Sequence, residues 1–264
     1  MNLEQTFRKS LIKGYLENKV FYFISNAFIN LRKDFKLLTG NKMKINTAHL
    51  TLKTDKKVTE EVSKLRGYIG NKFKDYPLLH NHFSENKFLY SYPLIQYKIV
   101  DGEVSILAIE EGISTIKEIY SDIEELKLKN TYEVREKILR EKTTDIRTTN
   151  EEIHYKFLSP WVALNPNNHS KFQNLKMWKD KKLFLNSILI GNILSMSKGL
   201  GIIVNRKIYP KTHLDECEVI FKGLNMIGFT GEFKIRYKIP DFFGLGKGVS
   251  QGFGTIKEIT DNEI

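Results

Sequence analysis

The sequence predicts an α+β protein: two similar halves in tandem behind an N-terminal helical extension. Three observations carry this prediction: the order of strand-like and helix-like segments after Met43, a looser return of that order in the second half, and the change of pattern at Met43 itself. The order after Met43 reads β-α-β-β-α-β, the ferredoxin-like arrangement. Residues 1–42 carry Leu11, Ile12, Tyr15, Leu16, Phe23 and Ile24 near the helical period, with lysines between them. They read as an amphipathic helical extension, or as an over-called start codon ahead of a domain that begins at Met43.

The elements follow in order. Lys44 to Leu52 is strand-like. Asp55 serves as the cap of a helix over Val58 to Phe73, with Val62, Leu65, Ile69 and Phe73 on one face. Phe88 to Val100 and Glu103 to Ile109 are strand-like, and Asp101-Gly102 between them is a strong hairpin signal. A second helix fits Thr115 to Leu126, with Ser114 as cap and Ile116, Ile119, Ile123 and Leu126 inward. A strand pair, Tyr132 to Lys142 and Ile153 to Leu158, closes the first half. The charged run Glu133 to Glu152 contains the domain boundary and reads as a solvated hairpin. In the second half, Leu183 to Ser197 is an apolar helix stopped by Gly199 and Gly201. Strands are expected at Ile202 to Ile208, Glu218 to Leu224, Gly231 to Ile239 and Phe253 to Ile259. The expected division is residues 1–42, an N-terminal domain 43–145 and a C-terminal domain 146–264.

The composition bounds the function. Forty-two Lys and Arg against 31 Asp and Glu leave a formal net charge of +11. Such an excess points to a polyanionic partner, nucleic acid or an anionic membrane surface. Cys217, the only cysteine, excludes an internal disulfide framework and a cysteine-rich zinc cage. With 17 Phe and 12 Tyr the chain has too many aromatics for a solvated tail. Val20 to Leu31 is interrupted by Ser25, Asn26 and Asn30 and is too short to span a membrane. Glu17 and Lys19 argue against a secretory signal, so a soluble cytoplasmic protein is expected.

Three motifs carry candidate chemistry. Near the C-terminus, Gly244-Leu245-Gly246-Lys247-Gly248-Val249-Ser250-Gln251-Gly252-Phe253-Gly254 holds two Gly-hydrophobe-Gly units. Glycine admits positive φ and close backbone approach, so such a loop can expose amides as an anion nest. It can equally be a flexible hairpin. Gly248 falls one place early for a dinucleotide fingerprint, and Lys247 is followed by Gly rather than Ser or Thr, which breaks the P-loop pattern.

The second motif is Leu78-Leu79-His80-Asn81-His82. In extended chain, residues two apart face one side, so both imidazoles can point into one site. Histidine titrates near neutrality, which suits one ring to accept a proton while another donates one. A metal pair lacks completing ligands nearby, and a loop with two incidental histidines is the bland alternative. The third motif, Phe88 to Lys98, alternates polar and aromatic groups around Pro93. Aromatics and a lysine on a sheet can stack bases and hold phosphate, or be core tyrosines.

Together, Leu65-Arg66-Gly67, Leu79-His80-Asn81-His82, Tyr92-Pro93-Leu94-Ile95-Gln96-Tyr97-Lys98, Glu110-Glu111-Gly112 and the terminal glycine loop occur in the order of a known family. From Met43 onward the chain resembles the CRISPR-associated repeat-processing endoribonucleases (the Cas-six family, b-type) of the RAMP superfamily. The resemblance implies tandem RRM/RAMP-type ferredoxin-like domains, CRISPR repeat RNA as partner and no cofactor or metal. It implies cleavage of precursor transcripts within the repeat, by attack of a ribose 2′-OH on its own 3′ phosphate. The products are a 2′,3′-cyclic phosphate and a 5′-OH. It implies His80 and His82 as the catalytic pair, with Tyr90 orienting the nucleophile or stabilising charge.

Lys98, Gly244, Gly246, Lys247, Gly252 and Gly254 are the RNA-binding candidates, Lys98 and Lys247 toward phosphate. A basic surface is expected from Lys179, Lys181, Lys182, Arg206, Lys207 and Lys211. His49, on the first strand, reads as packed or solvent-facing. The alternative function is a non-catalytic RAMP subunit that holds crRNA in an interference complex. Interference-complex subunits and a homodimer are further expected partners, and no membrane is.

Overall fold

The computed structural model describes residues 43–80, 82–84, 87–88 and 92–260, with backbone only for Met43, His80, residues 82–84 and residues 87–88. The helical extension expected over 1–42 lies outside the described residues, as does Tyr90.

The first half opens with β1 (Met43–Thr54). Both of its faces are covered, Ile45 and Thr47 on one side and Ala48, Leu50 and Leu52 on the other. A strand buried twice belongs at the centre of a sheet, and β1 pairs antiparallel on both sides. Helix α1 (Val62–Lys72) inserts Leu65 and Ile69 into the core. It starts four residues later than the apolar pattern suggests. Asp55 is not its cap; its carboxylate accepts the Glu133 amide and ties the end of β1 to a neighbouring strand. A one-turn helix α2 (Pro77–His80) and two short paired strands, β2 (His82–Ser84) and β3 (Lys87–Phe88), follow.

Strands β4 (Ile95–Val100) and β5 (Glu103–Ile109) form the expected hairpin. Asp101 and Gly102 take φ of 52° and 84°, the two positive values that a type I′ turn needs. Helix α3 (Gly112–Ile119) begins three residues before the expected start. Ser114 lies inside it, its hydroxyl donating to the Glu111 carbonyl. Ile116, Ile119, Ile123 and Leu126 are all buried, although the last two lie beyond the helix, Leu126 on β6 (Glu125–Lys127).

The largest departure from the sequence reading is β7 (Thr131–Phe157), one strand of 27 residues where a strand pair and a solvated hairpin were expected. Its first part pairs with β1 and its second part with β9 (Leu224–Lys238), with a bulge between Thr148 and Ile153. The charges are accommodated along the strand by exposed partners, among them Glu136 with Lys53 and Glu141 with Lys117, each at 2.7 Å.

The second half continues with α4 (Pro166–Asn174), capped by Asn165, and α5 (Trp178–Gly199). Ile202 to Ile208 forms no strand; its β-branched residues run irregularly to β8 (Lys211–Phe221). Strands β8 and β9 are a hairpin turned by Lys222 and Gly223, again with two positive φ values. The last strand, β10 (Ile256–Glu258), pairs with β7.

The sheet runs β4-β5-β1-β7-β9-β8, with β10 and β6 also on β7. Each half therefore has one strand order, β4-β5-β1-β7 in the first and β8-β9-β7-β10 in the second, with β7 in common. These are two ferredoxin-like units. Where the first has α3, the second has the segment 239–255, which carries the glycines.

Candidate functional site

Strand β4 sits between the two candidate segments, because neighbouring residues on a strand point to opposite faces. Tyr97 faces the side of the histidines. It is fully buried, and its hydroxyl donates to the carbonyl of Leu79, one residue before His80, at 3.3 Å. Burial pushes the Tyr97 hydroxyl well above the ordinary range, and the Arg66 guanidinium on α1 pulls it partly back. Leu79 itself is buried in the first-half core, so the turn that ends at His80 is fixed from below. The two histidines do not share one extended segment. His80 ends a helical turn and His82 opens a strand, its backbone paired with Phe88.

Lys98 faces the other side, and the structure places it differently from the expectation. Its exposure is 1%, and its amine donates to Gln96 Oε1 at 3.3 Å and Thr255 Oγ1 at 3.1 Å. An amine enclosed by the glycine segment does not face a phosphate in solution. Burial pulls its pKa down to about 7.

The glycine segment is a packed wedge rather than an open nest. The amides of Gly244, Leu245, Lys247, Gln251, Gly252, Phe253 and Gly254 all donate within the protein. Gly244 is gripped by β4 and the residues before it: its amide donates to the Tyr92 hydroxyl and to Gln96 Oε1, and its carbonyl accepts from Tyr92. The glycines are needed for close approach. A Cβ on Gly246, at φ 88°, would meet the Trp161 indole nitrogen at 2.6 Å; one on Gly254, at φ 63°, would meet the Leu245 carbonyl at 2.0 Å. Gly244, Gly252 and Gly254 are buried, while Lys247 is half-buried.

His49 on β1 belongs to the same seam and is the packed histidine of the two readings. Its ring stacks on Phe242, centroids 4.5 Å apart. Burial first, then the charges of Lys98 and Arg140, hold its pKa down to about 4, so it is neutral at pH 7.

Residues 43–145 match the family model for the Cas6b N-terminal domain, and residues 147–259 match that for the Cas6b C-terminal domain. The chain belongs to the Cas6b family. An uncharacterized protein of Methanocaldococcus jannaschii is 40% identical over 148 residues, 54% of this chain and 99% of its own length. A crystal structure of Cas6b is similar at 37% identity and a TM-score of 0.78, over 82% of this chain and all of that one. A crystal structure of a CRISPR RNA processing endoribonuclease, also Cas6b, is similar at 34% identity and a TM-score of 0.67, with the same coverage.

On this Cas6b chain, the expected basic surface is thinner than the sequence suggests. Lys179, Lys182, Arg206 and Lys207 are exposed. Lys181 pairs with Glu216 at 3.3 Å and lies over the Phe172 ring, and Lys211 pairs with Glu152 at 2.7 Å. A groove of about 680 Å³ that sequence reasoning did not find opens at the seam of the halves. It lies between the start of α1, the β8–β9 hairpin and residues 251–253, with Lys64 and Lys222 among its walls. No local signal announces it, since its walls come from five segments distant in sequence. Among the described residues, no helix is long and apolar enough to cross a membrane.

Proposed function

We propose that this protein is an endoribonuclease that cuts CRISPR precursor transcripts within the repeat to release crRNA. The observation that carries the reading is the match of both Cas6b domains, in order, over residues 43–145 and 147–259. We divide the chain accordingly into an N-terminal domain with the histidines and a C-terminal domain with the glycine segment, behind a separate extension.

The cut is a transesterification. One of His80 and His82 takes the proton of the ribose 2′-OH, whose oxygen bonds to the adjacent 3′ phosphorus. The bond from phosphorus to the 5′ oxygen breaks, and the other histidine protonates that departing oxygen. The products are a 2′,3′-cyclic phosphate and a 5′-OH, and no metal enters the step. Acid–base help of this kind supplies about 10²- to 10⁴-fold. In-line positioning and charge stabilisation supply the remainder, with Tyr90 in that role. On the RNA-binding side, the half-buried Lys247 contacts phosphate, while Gly244, Gly246, Gly252 and Gly254 give the segment its shape. The net charge of +11 supports salt-dependent backbone binding.

The test is incubation with repeat RNA from the adjacent array in EDTA, beside the same RNA with one 2′-deoxy nucleotide at the mapped cut. Cleavage of the first and binding without cleavage of the second are expected. Tight binding with neither cut would instead fit a structural subunit that holds crRNA. Absence of binding to this RNA would overturn the reading.

A further inference from the structure

Two polar side chains are buried back to back on β4, and each reaches one of the segments to which the proposed function assigns a task. Tyr97 donates to the Leu79 carbonyl, the last peptide before His80. Lys98 donates to Thr255, whose hydroxyl in turn donates to the Gly252 carbonyl at 2.9 Å. The Ser159 hydroxyl donates to the same carbonyl, and the Thr255 amide donates to Ser159. The glycine segment also reaches back toward the tyrosine side: a Cβ on Gly252 would meet the Tyr97 carbonyl at 3.0 Å.

Neither group is explained by packing alone. A Phe in place of Tyr97 and a Met in place of Lys98 would fill nearly the same volumes without polar atoms to satisfy. A buried lysine in contact with two neutral acceptors carries a desolvation cost that methionine avoids. Tyr97 spends its hydroxyl instead on a backbone carbonyl beside one candidate site, and Lys98 its amine on Thr255, the side chain that holds a backbone carbonyl of the other. Such a contact fixes where that element stands, and positional errors of the order of 1 Å cost catalysis about 10²-fold.

We infer that Tyr97 and Lys98 are positioning residues with separate duties, Tyr97 setting the His80 turn for cleavage and Lys98 setting the glycine segment for RNA binding. This rests on the endoribonuclease reading above and goes beyond it, since both residues are buried and act through the segments they hold. Strand β4 thereby joins the two tasks through opposite faces of two consecutive residues.

The experiment measures single-turnover cleavage at saturating repeat RNA, and separately RNA affinity, for the full chain and for Tyr97→Phe, Lys98→Met and Thr255→Val. Thermal unfolding of each variant is recorded, and all assays run well below the lowest midpoint. Tyr97→Phe is expected to slow the saturated rate about tenfold and leave Kd within about twofold, the loss of one well-placed hydrogen bond. Lys98→Met and Thr255→Val are each expected to weaken Kd by about fivefold to tenfold with the saturated rate nearly kept, and the double variant to lose less than the product of the two. If the variants lower only the unfolding midpoint, or lower rate and affinity together, the division of duties is wrong. A wild-type chain that binds the RNA and does not cut it overturns the endoribonuclease reading and the Tyr97 duty. The Lys98 duty then stands or falls on affinity alone.

Discussion

The two halves solve one packing problem in opposite ways. Each has four antiparallel strands in the same order, and each has a sheet to cover at the position of the second helix. The first half covers it with α3, whose Ile116 and Ile119 reach the core while its backbone satisfies itself. The second half lays 239–255 there, with Phe243, Leu245 and Val249 buried. A helix meets nearly all its own amides and carbonyls; this segment, with one short 3-10 turn at Val249–Gln251, meets only some of its own, and the other buried backbone groups must find partners elsewhere. Those partners include the Pro160 and Val162 carbonyls and the side chains of Tyr92, Gln96 and, through Thr255, Lys98. This explains why a core strand carries Gln96 and Lys98 on one face: they complete, directly and through Thr255, the backbone of the other half, while Tyr97 between them serves the Leu79 carbonyl of its own.

A single methyl group separates the two solutions most sharply. Gly254→Ala would drive its Cβ into the Leu245 carbonyl at a φ of 63°, a backbone clash with no side chain free to move aside. We expect a loss of at least about 3 kcal/mol, a fall in the unfolding midpoint of roughly 10 °C. Removing one methyl from the helical solution, Ile116→Val, is expected to cost only about 1 kcal/mol. Both are read by thermal unfolding, and equal effects would mean that the glycine segment gives way where α3 does.

This contrast also shows what was legible in the sequence. The β-α-β-β-α-β order and the Asp101-Gly102 turn could be read because they depend on local periodicity and on φ. The glycine motif could be found, but its task could not. Anion nest and tight wedge call for the same glycines, and only the atoms that a Cβ would strike tell them apart. Lys98 read as a phosphate contact because it shares a strand-like run with tyrosines that could stack bases; the segment that covers it lies more than 140 residues away. The charged run within β7 read as a hairpin because its ion-pair partners, Lys53 and Lys211, are distant in sequence. The His80 and His82 spacing was visible, but the change from helical turn to strand between them was not.

The two solutions also differ in how they respond to pH. Lys98 has a folded pKa pulled by burial from 10.5 to about 7, so between these values the unfolded chain binds more protons than the folded one. Stability therefore rises with pH across this window, by up to about 1.4 kcal/mol per pH unit, and is lost as pH falls back toward 7. His49, lowered from 6.5 to about 4, gives a second rise of the same sign in that acid window. Lys98→Met is expected to flatten the alkaline rise and only reduce the acid one, whose largest cause is the burial of His49, while Ile116→Val keeps both. Urea midpoints at half-unit pH steps check this. An alkaline rise that survives in Lys98→Met would assign it to another group.

The smallest effects are expected from the ion pairs along β7, the strand that both halves share. Lys53 and Glu136 meet at 2.7 Å on the first half, with side chains 52% and 54% exposed. Lys211 and Glu152 meet at the same distance on the second. Water and salt screen such pairs, and ordering two long side chains opposes the attraction, so a coupling below about 1 kcal/mol is expected from a double-mutant cycle on each. Raising the salt to about 1 M should remove most of it. The strand's backbone ladder needs no help of this kind, because it runs from β1 to β9 with only two bulges. If either cycle gave more than about 2 kcal/mol, charge would be a principal stabiliser of β7 within that half. Neither pair crosses from one half to the other. The seam therefore rests on the buried polar contacts of Tyr92, Gln96 and Lys98, where the backbone of the glycine segment has to be met.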